Sequence, residues 1–251
     1  MTLLSWAALA AVSFAAALLQ ATNGFGFAVL AVPFFLLLAP HGEAIQIIVI
    51  ISVATSVMIA PGLRRSVEPA MLVRLIVGSL IALPLGLVAA VHADPPAIGL
   101  AAGATVSGFA AILTWQRYRG LAARIAIRPR HDLAAGAIAG IATPLVGMAG
   151  PPVLIYLMLG GAAMRTVRAT LIAFFAVVYA VALTANAVFV GMPRSDWLIA
   201  ASLLPLVWAG GFIGLRVGDR LSETAAAALA IAVLAVAGCY TLAAAARAAL
   251  W

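Results

Sequence analysis

The chain has 251 residues, of which 66% are hydrophobic and 8% charged, with a net charge of +7 from 14 arginines and 7 acids. A water-soluble domain is about half apolar and about a quarter charged, and a chain of this length cannot bury so large an apolar excess in one aqueous core. Composition thus excludes a soluble domain, and the arginines, confined to short segments between apolar runs, exclude a nucleic-acid-binding face.

The first apolar run, 3–21, has no positive charge between Met1 and Ser5 and no convincing cleavage site after it. It is therefore expected to be a mature segment, not a secretory signal. Further runs follow at 24–39, 44–61, 71–91 and 96–114. After a polar stretch, 116–132, a second set occupies 133–148, 151–163, 169–190, 197–215 and 224–246. A helix crosses the hydrocarbon with roughly 20 residues. The runs at 24–39, 133–148 and 151–163 are short, and each adjoins a glycine-rich break: Asn23-Gly24-Phe25-Gly26 or Gly147-Met148-Ala149-Gly150-Pro151-Pro152. The expected fold is an all-α membrane protein of about 8–10 spanning or half-spanning helices. The lipid bilayer is its solvent, and the single Cys239 allows no internal disulfide.

Alternating crossings place Arg64, Arg65, Arg74, Arg117, Arg119, Arg124, Arg128, Arg130, Arg165, Arg168, Arg216 and Arg220 on one side, and only Arg194 and Arg247 on the other. The crowded side is expected to be cytoplasmic, with both termini periplasmic. Aligning Gly26 with Gly150 sets Pro84-Leu85-Gly86 opposite Phe212-Ile213-Gly214. Each half makes an odd net number of crossings, so the halves are expected as inverted-topology repeats: 1–115, a basic cytoplasmic linker 116–132, and 133–251. Small-xxx-small pairs at Gly99/Gly103, Gly136/Gly140, Gly210/Gly214 and Gly214/Gly218 are expected to let helices pack closely. Trp6, Trp115, Trp197 and Trp251 fall at span ends as interfacial anchors, and Trp208 lies mid-span.

A break in a membrane helix persists only where protein or a watery cavity satisfies its backbone. The helix that follows begins with unpaired N–H donors and a partial positive charge, a setting for an anion. Gly24, Phe25, Gly26 and Phe27, with Gly147, Gly150, Pro151 and Pro152, are therefore candidate substrate-binding residues. Gln20, Asn23, Thr143 and Tyr156 add polar groups, and Arg168 a cation able to clasp an oxyanion. The alternative is a pair of tight turns with no ligand. Arg74 is expected to snorkel. The seven acids and His41, His92 and His131 all map to loops or span ends, so no intramembrane carboxylate or histidine is expected for a cation or proton relay. No Walker motif or nucleophile–base pair is present, so the chain is read as no enzyme, with no cofactor and no metal.

Gly24-Phe25-Gly26-Phe27-Ala28 leading to Pro33, and Gly147-Met148-Ala149-Gly150-Pro151-Pro152 leading to Tyr156 and Arg168-Ala169-Thr170, resemble the paired motifs of the TauE/SafE sulfite-exporter family. The resemblance covers essentially the whole chain. It implies a transporter of the bacterial inner membrane that moves sulfite or a small organosulfonate such as sulfoacetate, often outward. Uniport, or coupling through a proton carried by the substrate, is expected. A permease for small carboxylates and a non-transport assembly subunit stay open as alternatives. A homodimer is admitted but not required.

Overall fold

The computed structural model describes residues 3–38, 41–119 and 127–218, Arg220, and the isolated positions 228, 232, 235, 236 and 239. The expected tenth run, 224–246, with Trp251 and Arg247, therefore lies largely outside the described residues. Nine α-helices are described: α1 Leu3–Asn23, α2 Phe27–Leu38, α3 His41–Leu63, α4 Pro69–His92, α5 Pro95–Arg119, α6 Pro129–Val146, α7 Gly150–Leu159, α8 Met164–Ala185 and α9 Arg194–Gly218. No strand occurs among the described residues. Proline opens α4 and α6 and sits in the first turn of α7, where its missing N–H costs no helical bond. Five segments are long and apolar enough to cross a membrane: Leu3–Asn23, Glu43–Ser66, Pro69–His92, Met164–Phe189 and Arg194–Gly218. α2 and α7 have only 12 and 10 residues, about 18 and 15 Å at 1.5 Å per residue. Each reaches roughly half-way across.

The outside of the bundle is apolar. On α4, Val73, Val77, Ile81, Leu85 and Val88 form an exposed stripe at helical spacing. Such a stripe would be an aggregation surface in water and is a natural face for lipid.

The two halves of the chain interleave. α1 packs along α9 and α4 along α6, while α3 packs against α8. Phe14 stands against Gly210, Leu18 against Gly214 and Thr22 against Gly218. Residue numbers rise together on both helices, so α1 and α9 run parallel, as alternating crossings require. Leu75 against Gly136 and Ser79 against Gly140 make α4 and α6 parallel in the same way. Gly214 meets Leu18 and Gly86 meets Ile141, each at the facing backbone.

The glycines at 136, 140, 210 and 214 leave no room for a methyl group, since a Cβ on any of them would overlap the facing backbone. Close backbone approach is what holds helices together where lipid removes the hydrophobic drive. Gly214→Val is thus expected to separate α9 from α1 at Leu18. The readout is loss of the monodisperse peak in detergent after mild heating, and a heat-stable variant would contradict it.

One expectation is corrected here. Arg74 does not simply snorkel: its Nε donates to Asp132 Oδ2 at 2.6 Å, because parallel packing of α4 on α6 brings the second turn of α4 beside the first turn of α6.

Candidate functional site

The first break closes α1 with a hydrogen bond from Gly24 N–H to the Gln20 carbonyl at 2.7 Å. Gly24 then takes φ +86 and Gly26 φ +117, the left-handed region open to glycine. The first helical bond of α2 runs from Leu30 N–H to the Gly26 carbonyl at 2.9 Å. The N–H groups of Phe27, Ala28 and Val29 therefore have no acceptor within their own helix.

The second break is built alike. Gly147 ends α6 at φ +71, donating to the Thr143 carbonyl at 2.9 Å. Here, however, α7 opens with Pro151 and Pro152, which have no N–H. Ala149 N–H donates to the hydroxyl of Tyr179 on α8, and that hydroxyl donates in turn to the Gly147 carbonyl, each at 3.2 Å.

Both breaks border one small cavity. Gln20, Gly26, Phe27, Ala28 and Val29 line it from one side, and Met148, Gly150, Pro151, Phe175 and Tyr179 from the other. Its volume is about 10 Å³, the room of one water molecule. Most of the lining residues are apolar, and Gln20 and Tyr179 are the ones among them with polar side chains.

The remaining expected residues divide by position. Gln20 is buried and its Nε2 donates to Ser56 Oγ on α3 at 3.1 Å. Asn23 is 2% exposed, and neither atom of its amide has a hydrogen-bond partner. Arg168 is buried one turn into α8, with its backbone and side-chain carbons against Gly24 and its Nη1 beside Gly218. Thr143 spends its hydroxyl on the Ala139 carbonyl of its own helix at 2.7 Å. Phe25 is a core residue, edge-on to Phe109 with ring centroids 5.7 Å apart.

Pro152 and Tyr156 line a different feature, an open apolar groove of about 640 Å³ between α5, α6 and α7 that also includes Pro151. The Tyr156 hydroxyl donates to Asp132 Oδ1.

The structure adds groups not singled out from the sequence. Tyr179 braces the second break, and the sign of it was a tyrosine in mid-run, whose hydroxyl needs a partner when buried. Asp132 and Asp196 do lie at helix starts, as expected of the acids, but both are fully buried. A span end is not always wet.

Taken together, the interrupted helices, the membrane-length spans and the lipid-suited exterior define an all-α membrane protein. Residues 9–241 match the family described as sulfite exporter TauE/SafE, and the chain belongs to that family. At family level it is a membrane transporter and not an enzyme. No curated protein and no solved structure matches the chain.

Proposed function

We propose that the chain exports sulfite or a small organosulfonate across the bacterial inner membrane, binding the anion between the starts of α2 and α7. The observation that carries this reading is the shared cavity, bordered by both helix starts from opposite halves of the chain. An anion there draws on the unpaired N–H groups of α2 and on its helix dipole. α7 contributes less than the sequence pattern implies, because two of its first residues are prolines. Gln20 and Asn23 supply amide donors, and Arg168, next to Gly24, adds a positive charge on the side to which the arginine count assigns the cytoplasm. Repeats 1–115 and 133–251 supply one break each, with both termini periplasmic.

A cavity of one water does not admit a sulfite, so binding entails widening between α2 and α7. An inside-negative potential assists outward movement of the anion by about 2.3 kcal/mol per charge per 100 mV. The same donors recognise any small oxyanion, so substrate class is settled by thermal stabilisation of the purified chain with sulfite, sulfonates, thiosulfate and carboxylates.

Asn23 offers a sharper test. A buried amide without partners lowers stability by about 1–3 kcal/mol, so Asn23→Leu is expected to melt no lower than the wild type. A hydrogen bond to a charged group contributes about 1.5–3 kcal/mol, so sulfite transport in proteoliposomes should fall roughly 10- to 100-fold. Unchanged transport by a stable Asn23→Leu would remove the anion from this place.

A further inference from the structure

The junction between the start of α3 and the start of α9 contains groups that anion binding does not use. Asp196, in the first turn of α9, is fully buried. Its Oδ1 accepts a hydrogen bond from Ser195 Oγ at 3.2 Å, while its Oδ2 has no partner. On α3, Gln46 is 8% exposed. Its Nε2 donates to the carbonyl of Gly191, in the connection that leads into α9, at 3.1 Å, and its Oε1 has no partner. Glu43 lies three residues earlier on the same face of α3.

The deficit at this junction is of one kind: a carboxylate oxygen and an amide oxygen, both buried, both acceptors, both without a donor. Buried polar groups in folded proteins are almost always paired, and an unpaired buried carboxylate is especially costly. A metal cation is a poor answer, since hard cations take about six oxygens and no group of three acidic, histidine or cysteine side chains gathers anywhere among the described residues. A proton is a sufficient one. Placed on Asp196 Oδ2, it removes the buried charge and makes that oxygen a donor.

We infer that Asp196, at the junction it shares with Gln46 and Glu43, is a proton-binding site whose protonation from water at that end of the bundle controls the rate of anion movement. The proton comes from water at the end of the bundle where α3 and α9 begin, forms an O–H bond on Asp196 Oδ2, and returns to water when the carboxylate re-forms. No other reactant is needed. Among the described residues the charged surroundings are few. α1, which also packs along α9, has no titratable residue in Leu3–Asn23. α3 brings His41 and Glu43 in its first turn, and α9 adds Arg194, whose side chain is exposed. Control of the rate rests on the transport reading, whereas protonation of Asp196 stands apart from it.

Two measurements on the full-length chain in lipid vesicles test this. Infrared spectroscopy should find the C=O stretch of a buried carboxylic acid at neutral pH in the wild type, absent in Asp196→Asn and shifted in Gln46→Leu. Flux of methanesulfonate, which keeps its charge at all relevant pH values, should change at least tenfold in the wild type when the pH difference is reversed, and not at all in Asp196→Asn. A wild type lacking the band, a band that survives Asp196→Asn, or an Asp196→Asn flux that still follows the gradient overturns the inference. If Asp196→Asn does not fold, an unshifted band in Gln46→Leu overturns it instead. A wild type that shows the band but moves neither methanesulfonate nor sulfite overturns the transport reading and the rate control with it, and leaves the proton site established.

Discussion

Gly24→Ala is expected to leave almost no monodisperse protein in detergent. Two costs coincide. The residue holds φ +86, and an L side chain in that region costs about 1–2 kcal/mol. The added Cβ would also lie inside the backbone of Arg168, and overpacking a rigid contact costs about 1–3 kcal/mol more. Because α8 cannot withdraw at Arg168 without opening the first break, the strain has no soft neighbour to absorb it. Gly161→Ala is the control. Gly161 has φ +71 but nothing within 4 Å of its added Cβ, so it bears the backbone cost alone. Size-exclusion profiles of the two variants after graded heating separate close approach from conformation. Equal behaviour would mean that Gly24 is needed only for its φ angle.

The contrast between those two glycines explains what could be read from the sequence. Hydropathy is a local requirement of lipid, so helix spans emerged nearly residue by residue: the run 71–91 is α4, Pro69–His92, and 197–215 lies within α9, Arg194–Gly218. The breaks were legible because glycine and proline mark them, and so was the close packing of Gly136, Gly140, Gly210 and Gly214. The pairings were not. Tyr179 lies 30 residues from Ala149, and Arg74 lies 58 from Asp132. Taken singly, Arg74, Asp132 and Asp196 look like interfacial charges at span ends. Only the packing of one helix against another buries the two aspartates and pairs Arg74, and periodicity says nothing about which helices meet. The proline pair at 151–152 misleads in the opposite direction. It marks the helix start clearly, yet removes the donors that make a helix start attractive to an anion.

Asp132 gives the second large effect, and its sign depends on which partner is removed. The carboxylate is fully buried and accepts from Arg74 Nε at 2.6 Å and from the Tyr156 hydroxyl, tying α6 to α4 and to α7 at once. Arg74→Met leaves a buried carboxylate with a single neutral donor. Breaking a buried pair from one side costs about 3–5 kcal/mol, and here the charge left behind is the one with no access to water. Asp132→Leu leaves instead an arginine whose side chain is 30% exposed, which can turn its guanidinium toward water or lipid phosphate. Its expected cost is lower, about 1–3 kcal/mol, chiefly for the unpaired Tyr156 hydroxyl. The order of stability should therefore be wild type, then Asp132→Leu, then Arg74→Met. Adding Asp132→Leu to Arg74→Met should raise stability above that of Arg74→Met alone, because it removes the stranded charge. Thermal unfolding in one detergent, at one pH near neutrality, measures all four proteins. A double variant less stable than Arg74→Met would mean that Asp132 stabilises α6 through something other than its ion pair. In that case the link between the starts of α4 and α6 and the short helix α7 would have to be sought in the packing of Tyr156 itself.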